Sequence, residues 1–358
     1  MKKVVVGMSG GVDSSVAAAI LKEQGYEVIG LFMHNWEEED DTQVCTAVTD
    51  YEDVKRVCNK LGIPYYTVNF AKEYLDRVFS NFLEEYSKGR TPNPDVLCNR
   101  EIKFGPFLEY ARSLGADYIA TGHYARILHE ESGISRLLKA EDTNKDQTYF
   151  LNQLNQDQLR QVLFPLGDMV KPQVREIAEK YGFSTADKKD STGICFIGER
   201  RFREFLKNYI PCKKGDIVDR SGNKVGEHEG VIYYTLGQRR GLNIGGKKDG
   251  NGERWFVLDK DVKNNKLIVS QGEGEELFKD GLITYKVNWI PNVPKENDFE
   301  CFAKFRYRQP DQKVRVKIED NKVVVNFAEK QRAVTPGQYV VFYTETECLG
   351  GGVIEEVF

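Results

Sequence analysis

The amino-acid sequence predicts an α/β protein in which an N-terminal parallel-sheet domain is followed by a small β-rich central domain and a C-terminal β-barrel. Three observations predict it. Over residues 1 to about 200, short apolar runs alternate with segments of helical pattern, the order that builds a parallel sheet covered on both faces. The first apolar run, "VVVGM", breaks into "SGGVDSS" before an alanine-rich helix, so the chain turns on glycine and serine where a strand ends. After Pro211 the texture changes to short β segments separated by glycine-rich turns.

Strands are expected at "KKVVVGM", "YEVIGLFM", "PYYTVNF" and "ADYIATG", with helices between them at "SSVAAAILKEQG", "TDYEDVKRVCNKLG" and "IKFGPFLEYARSLG". Each of these helical segments ends in glycine, the residue that most easily takes the left-handed conformation closing a helix. Ligands of such sheets bind at the carboxyl ends of the strands. "RRFREFLKNYIP" reads as a helix closed by Pro211, and the first domain is expected over 1–207. The central domain, 208–280, carries "GDIVDRSGNKVGEHEG" with a Ser-Gly-Asn turn, then the glycine-dense "YTLGQRRGLNIGGKKDGNG". In 281–358, "KVRVKI" and "KVVVNFA" flank a Glu-Asp-Asn turn, and "GQYVVFYT" and "LGGGVIEEVF" read as closing strands.

With 358 residues and 40% hydrophobic content the chain can build more than one core. Its apolar runs fall far short of the roughly 18 residues a membrane span requires, so a soluble, cytoplasmic protein with no membrane partner is expected. A formal charge of -4 argues against coating nucleic acid by bulk charge and leaves room for local basic stripes. Seven scattered cysteines without a C-x-x-C make neither a secreted disulfide framework nor a zinc ribbon.

A strand, then Gly7, Met8, Ser9, Gly10, Gly11, Val12, Asp13 and Ser14, then a helix, aims backbone N–H groups and hydroxyls at an anion. Neither a dinucleotide fingerprint nor a Walker loop is present, and the missing lysine leaves the loop without a cation of its own. Asp13 beside a polyphosphate would be repelled unless a magnesium ion lay between them. The motif resembles the pyrophosphate (PP) loop of the ATP-pyrophosphatases, an adenine nucleotide alpha hydrolase-like fold whose members cleave ATP between the α and β phosphates. ATP is the co-substrate this implies.

"RTPNPDVLCNREIKF" places Asp95 three residues before Cys98, on one face of a helix that prolines at 92 and 94 keep from starting earlier. "KKDSTGICFIGERRF" sets Cys195 between basic pairs that favour its thiolate. Both cysteines lie in polar, turn-rich segments where burial would gain little. Together with "ADYIATGHYAR", "NKDQTYFL", "YTLGQRRGL" and "TPGQYVVFY", these blocks resemble the tRNA-specific 2-thiouridylase family along nearly the whole chain.

That resemblance implies ATP-dependent replacement of the C2 oxygen of the wobble uridine by sulfur in the tRNAs for lysine, glutamate and glutamine, read through the anticodon stem-loop. It implies that Cys195 carries a persulfide received from a sulfur carrier protein. Cys98 then attacks that persulfide or closes a disulfide with Cys195, and Asp95 shuttles protons. Asn93, Pro94 and Asp95 would lie against the target base, and Met33 and Gly122 against the adenosine. His123, Lys145, Asp146, Gln147, Arg306, Tyr307 and Gln338 would contact tRNA. The basic run "KFRYRQPDQKVRVK" fits that expectation, its cations alternating with core residues and Phe305 and Tyr307 offering rings for bases. Two rival classes are a metabolic adenylating ligase and a nucleotide sensor without catalysis. An iron–sulfur cluster on Asp95, Cys98 and Cys195 is a further alternative, which the lack of a local C-x-x-C disfavours.

Overall fold

The computed structural model describes residues 1–36, 46–189, 202–244 and 253–358, so Cys195 and its motif lie outside the described residues. The N-terminal sheet contains β1 (Lys3–Met8), β2 (Glu27–His34), β3 (Tyr65–Asn69) and β4 (Tyr118–Ala120). A hairpin of β5 (Arg126–His129) and β6 (Ser135–Leu138) stands apart, and β7 (Val162–Leu163) completes the sheet. The sheet is parallel in the order β3-β2-β1-β4-β7. Val4, Val5 and Val6 of β1 are wholly buried, as a central strand covered on both faces requires. Helix α1 (Val12–Glu23) covers one face, and its buried alanines Ala17, Ala18 and Ala19 let it sit close to the strands. Helix α2 (Thr46–Leu61) follows β2.

The helix expected over 102–115 is broken. A π turn spans Asn99–Lys103, and a new helix, Pro106–Ser113, starts on a proline that needs no donor there. At Gly105 a Cβ would stand 2.9 Å from the Glu101 carbonyl oxygen, so the junction takes only glycine.

The central domain holds a four-stranded sheet in the order Trp255–Asp261, Lys266–Gln271, Gly215–Val218, Lys224–His228. Phe278–Thr284 opens an eight-stranded, wholly antiparallel sheet that runs to Glu356–Val357. In Gln312–Glu319, Val314 and Val316 are buried while Lys313, Arg315 and Lys317 are exposed on the other face. That basic face is partly neutralised, Arg315 pairing with Asp298 at 2.8 Å and Lys317 with Glu319 at 3.3 Å. Phe305 departs from its expected role. It lies in the barrel core, 1% exposed, with its ring 4.6 Å from that of Phe327, and offers no face to a base. No helix among the described residues is long and apolar enough to cross a membrane.

Truncating Phe305 therefore costs stability. Phe305→Ala is expected to lose about 3–5 kcal/mol in urea unfolding, and a loss near zero accompanied by weaker RNA binding would restore the stacking role.

Candidate active site at the carboxyl ends of the parallel sheet

The order of strands reverses direction between β1 and β4, and the crevice at such a switch point is where open α/β sheets hold ligands. The 7–14 segment fills one side of it. Gly10 has φ +75°, and a Cβ there would stand 2.6 Å from the Asp50 carbonyl oxygen, so the loop runs directly under α2. Ser14 Oγ accepts the Ser9 N–H at 3.1 Å and donates to the Gly11 carbonyl at 3.2 Å, which folds the loop over the start of α1. No side chain caps that start, which leaves the first-turn N–H groups able to receive an anion. Met8 and Val12 point into the core and can contribute only backbone. Met33, at the end of β2, reaches Gly7, its Cε 3.8 Å from where a Cβ would stand. On the opposite wall a Cβ at Gly122 would stand 2.7 Å from the Ser14 nitrogen.

Asp13 is not a bare carboxylate. Lys171 Nζ lies 2.7 and 2.9 Å from its two oxygens, and the Tyr124 hydroxyl donates to it at 2.9 Å. The charge of this carboxylate is thus met by a protein cation. Lys188 Nζ donates to the Gly10 carbonyl at 2.9 Å and pairs with Asp50 and Asp53 at 2.7 and 2.8 Å. Two lysines that the motif lacks are supplied from far along the chain. Among the described residues no group of three His, Cys, Asp or Glu side chains could hold a metal ion.

Asp95 and Cys98 share the short helix Pro94–Cys98, which Asn93 caps by accepting the Val96 N–H at 3.4 Å. Contrary to expectation Cys98 is 4% exposed, because the helix packs against the 75–79 turn and the Thr148–Leu151 helix. Asp95 is half-buried. Burial pushes its carboxyl up from the ordinary aspartate value, and the charge of Lys103 opposes this only in part. His123 accepts or donates at 2.7 Å between Nδ1 and Thr121 Oγ1, and its ring lies 6.2 Å from those of Phe104 and Phe164. Burial, seconded by Lys103, holds its pKa well below the usual histidine value, which leaves a neutral imidazole. Lys103, which the spacing did not single out, acts on both groups.

The remaining expected RNA contacts are engaged inside the protein. Asp146 is buried, its carboxylate accepting from the Ala140 N–H at 3.0 Å and the Thr148 hydroxyl at 2.7 Å. Gln147 pins Tyr124 by accepting its N–H at 2.9 Å. The Tyr307 hydroxyl donates to the Lys145 carbonyl at 3.4 Å, and its ring lies 4.4 Å from that of Phe150. Arg306 Nη2 donates to the Ala333 carbonyl at 2.6 Å, and Gln338 to the Thr91 carbonyl at 2.8 Å.

A glycine-serine loop at the switch point of a parallel sheet, with an acid and a thiol on the short helix Pro94–Cys98 and two β domains later in the chain, defines the α/β class with a nucleotide-binding loop. Known proteins narrow the class. Residues 2–199 match the family described as tRNA methyl transferase HUP domain, 203–271 its PRC-barrel domain and 279–354 an aminomethyltransferase beta-barrel domain. The chain is 58% identical over 99% of its length to the tRNA-specific 2-thiouridylase MnmA of Streptococcus thermophilus CNRZ 1066, covering 96% of that protein. It is 59% identical to the MnmA of Alkaliphilus oremlandii over 99% of this chain and 97% of that one. The chain belongs to the tRNA-specific 2-thiouridylase (MnmA) family. A solved 4-thiouridine synthetase–RNA complex with bound ATP is only loosely similar, 17% identical with a TM-score of 0.35 over 58% of this chain and 49% of that one.

The raised Asp95 carboxyl has a thermodynamic signature. Below the unfolded value of about 3.9 the group is protonated in both states and costs nothing; as pH rises through the folded value the cost of a half-buried charge grows to its full extent. Asp95→Asn is expected to melt above the wild type at pH 7, with the difference closing as pH falls toward about 4. An Asn variant less stable than wild type at neutral pH would mean that the carboxylate is stabilised rather than penalised.

Proposed function

We propose that the chain is an ATP-dependent tRNA sulfurtransferase that makes 2-thiouridine at the wobble position of the tRNAs for lysine, glutamate and glutamine. Near-full-length identity to proteins named for that activity carries the reading, because it spans both cysteine blocks and the 7–14 loop.

The chemistry follows from what C2 of uracil demands. An oxo group there leaves poorly, so the O2 oxygen attacks the α-phosphorus of ATP, and pyrophosphate departs into the cradle of Ser9, Gly10, Gly11 and Ser14. Met33 and Gly122 would border the adenosine, and magnesium would arrive on the phosphates rather than in a carboxylate cage, since Asp13 is already paired with Lys171. Sulfur then comes from a persulfide on Cys195, loaded by a sulfur carrier protein. In one route its terminal sulfur adds to C2 and AMP leaves, and Cys98 attacks Cys195 Sγ to free the thiolated base and close a disulfide that a reductant must reopen. In the other, Cys98 attacks Cys195 Sγ first, closing the same disulfide and releasing hydrosulfide, which adds to C2 and displaces AMP. Asp95, with its raised carboxyl, would hold and return the proton of the base. A wobble base is unpaired, so an anticodon loop can flip it into the crevice at little cost. The neutral His123, the 145–147 loop and the Arg306–Tyr307 pair would flank that RNA. A location in the cytoplasm, where tRNA is, suits the reading.

Unmodified tRNA incubated with ATP, magnesium and a persulfide donor is expected to gain 2-thiouridine by nucleoside mass spectrometry, and Cys195→Ser to abolish it while tRNA-dependent pyrophosphate release persists. Pyrophosphate released without tRNA would favour a metabolite ligase; thiolated product from the Ser variant would sink the persulfide assignment. Lys171→Met leaves Asp13 uncompensated. Losing this charge-assisted pair is expected to raise the KM for ATP by roughly 10- to 100-fold in the pyrophosphate assay, and an unchanged KM would mean the pair is structural only.

A further inference from the structure

The strap that precedes the helix of Asp95 and Cys98 is short of hydrogen-bond donors. Residues 92 and 94 are proline, which removes two N–H groups in three residues. Its anchorage comes instead from one corner of the C-terminal barrel. Gln338 Nε2 donates to the Thr91 carbonyl at 2.8 Å and to the Pro92 carbonyl at 3.3 Å, and the Thr91 N–H donates to the Pro336 carbonyl at 3.0 Å. Between them Gly337, at φ +94°, lies so close that a Cβ would stand 2.9 to 3.0 Å from the Thr91 backbone. Arg90 donates to Glu355 at 2.6 Å and to the Ile354 carbonyl at 3.0 Å. Ile354 in turn accepts from Gly337 at 2.9 Å and donates to the Gln338 carbonyl at 2.8 Å. Arg306 ties the near side of this corner by donating to the Thr335 hydroxyl at 3.3 Å.

We propose that the Thr335–Gln338 corner is a positioning element of the sulfur-transfer site: Gln338 and Gly337 set the strap 90–93, and through the Asn93 cap they set the direction in which Asp95 and Cys98 face. The proposal rests on the sulfurtransferase reading for what that helix does, and on the contacts alone for what holds it. Gln338 faces two carbonyl oxygens, so its amide nitrogen, not its oxygen, is turned to the strap and both of its hydrogens are spent. Only Oε1 remains, which can accept from an RNA 2′-hydroxyl or exocyclic amine and cannot donate to a phosphate. A ligand that draws Gln338 or Arg306 off these partners loosens the strap; one that leaves them in place meets a helix already set.

Gln338→Glu keeps the shape and removes both donors. Loss of the two hydrogen bonds is expected to speed hydrogen exchange of amides in 91–98 about tenfold and to lower kcat for thiolation about tenfold, with the KM for tRNA within about twofold of wild type. Amides of Tyr339–Tyr343 serve as the control and are expected to be unchanged. If those strands loosen as well, the same comparison is read from Arg90→Ala, which cuts the tether from the other side. Unchanged exchange in 91–98 with a raised KM would reduce Gln338 to an RNA contact and overturn the proposal; so would faster exchange with kcat intact. A wild-type chain that thiolates nothing would count against the functional reading alone, because the exchange result stands without it.

Discussion

The approach of Gly122 to the first turn of α1 is the constraint around which the site is arranged. Backbone meets backbone there, with room for no Cβ, and Gly10 makes an equally close contact with Asp50 on the other side. The loop is therefore held between the exit of β4 and the start of α2. This contact lies where the strand order reverses, with Met33 near the end of β2 and His123 just beyond β4. Neither glycine is explained by turn geometry alone. Gly122 has no left-handed φ and is required purely by proximity.

An acidic residue inside an anion cradle would defeat it unless its charge were met, and tertiary structure meets it. Lys171, at the head of the helix Lys171–Lys180, and Tyr124, pinned by Gln147, converge on Asp13. In a loop with its own lysine the cation arrives with the motif; here it arrives only when the 171–180 helix has docked on α1. Lys188 adds a second tie between the Gly10 carbonyl and the acids of α2.

Local spacing made the strands, the loop and the Asp95–Cys98 face legible, because each depends on neighbours within a few residues. The break at Gly105–Pro106 was also written locally, as a Gly-Pro pair inside the segment read as one helix. Lys171 was not legible: its partner is 158 residues away, and nothing in "VKPQVREIAEKYG" distinguishes a site lysine from a surface one. Burial of Cys98 is illegible for the same reason, since the residues covering it come from elements before and well after it. Phe305 misled in another way. The strand Asp298–Lys304 ends one residue earlier, so strict alternation no longer applies; its ring turns into the barrel, while Tyr307 turns toward Phe150.

In the proposed reaction an O-adenylated uracil would be as open to water as to sulfur, and hydrolysis would return uridine and waste the ATP. A site that chooses sulfur must keep water from C2 while admitting a thiol. The surroundings of Asp95 fit that demand: Cys98 is almost wholly buried, burial raises the Asp95 carboxyl, and burial keeps His123 neutral. Holding such groups away from solvent costs stability, and a five-residue helix cannot bear that cost by its own hydrogen bonds. The barrel corner at 335–338 and the packing of the helix against the 75–79 turn and the Thr148–Leu151 helix bear it instead. Under the proposed sulfurtransferase reading the C-terminal domain would serve the chemistry: without its grip on Thr91 and Pro92 the helix would relax toward water, and an adenylated intermediate would meet water first.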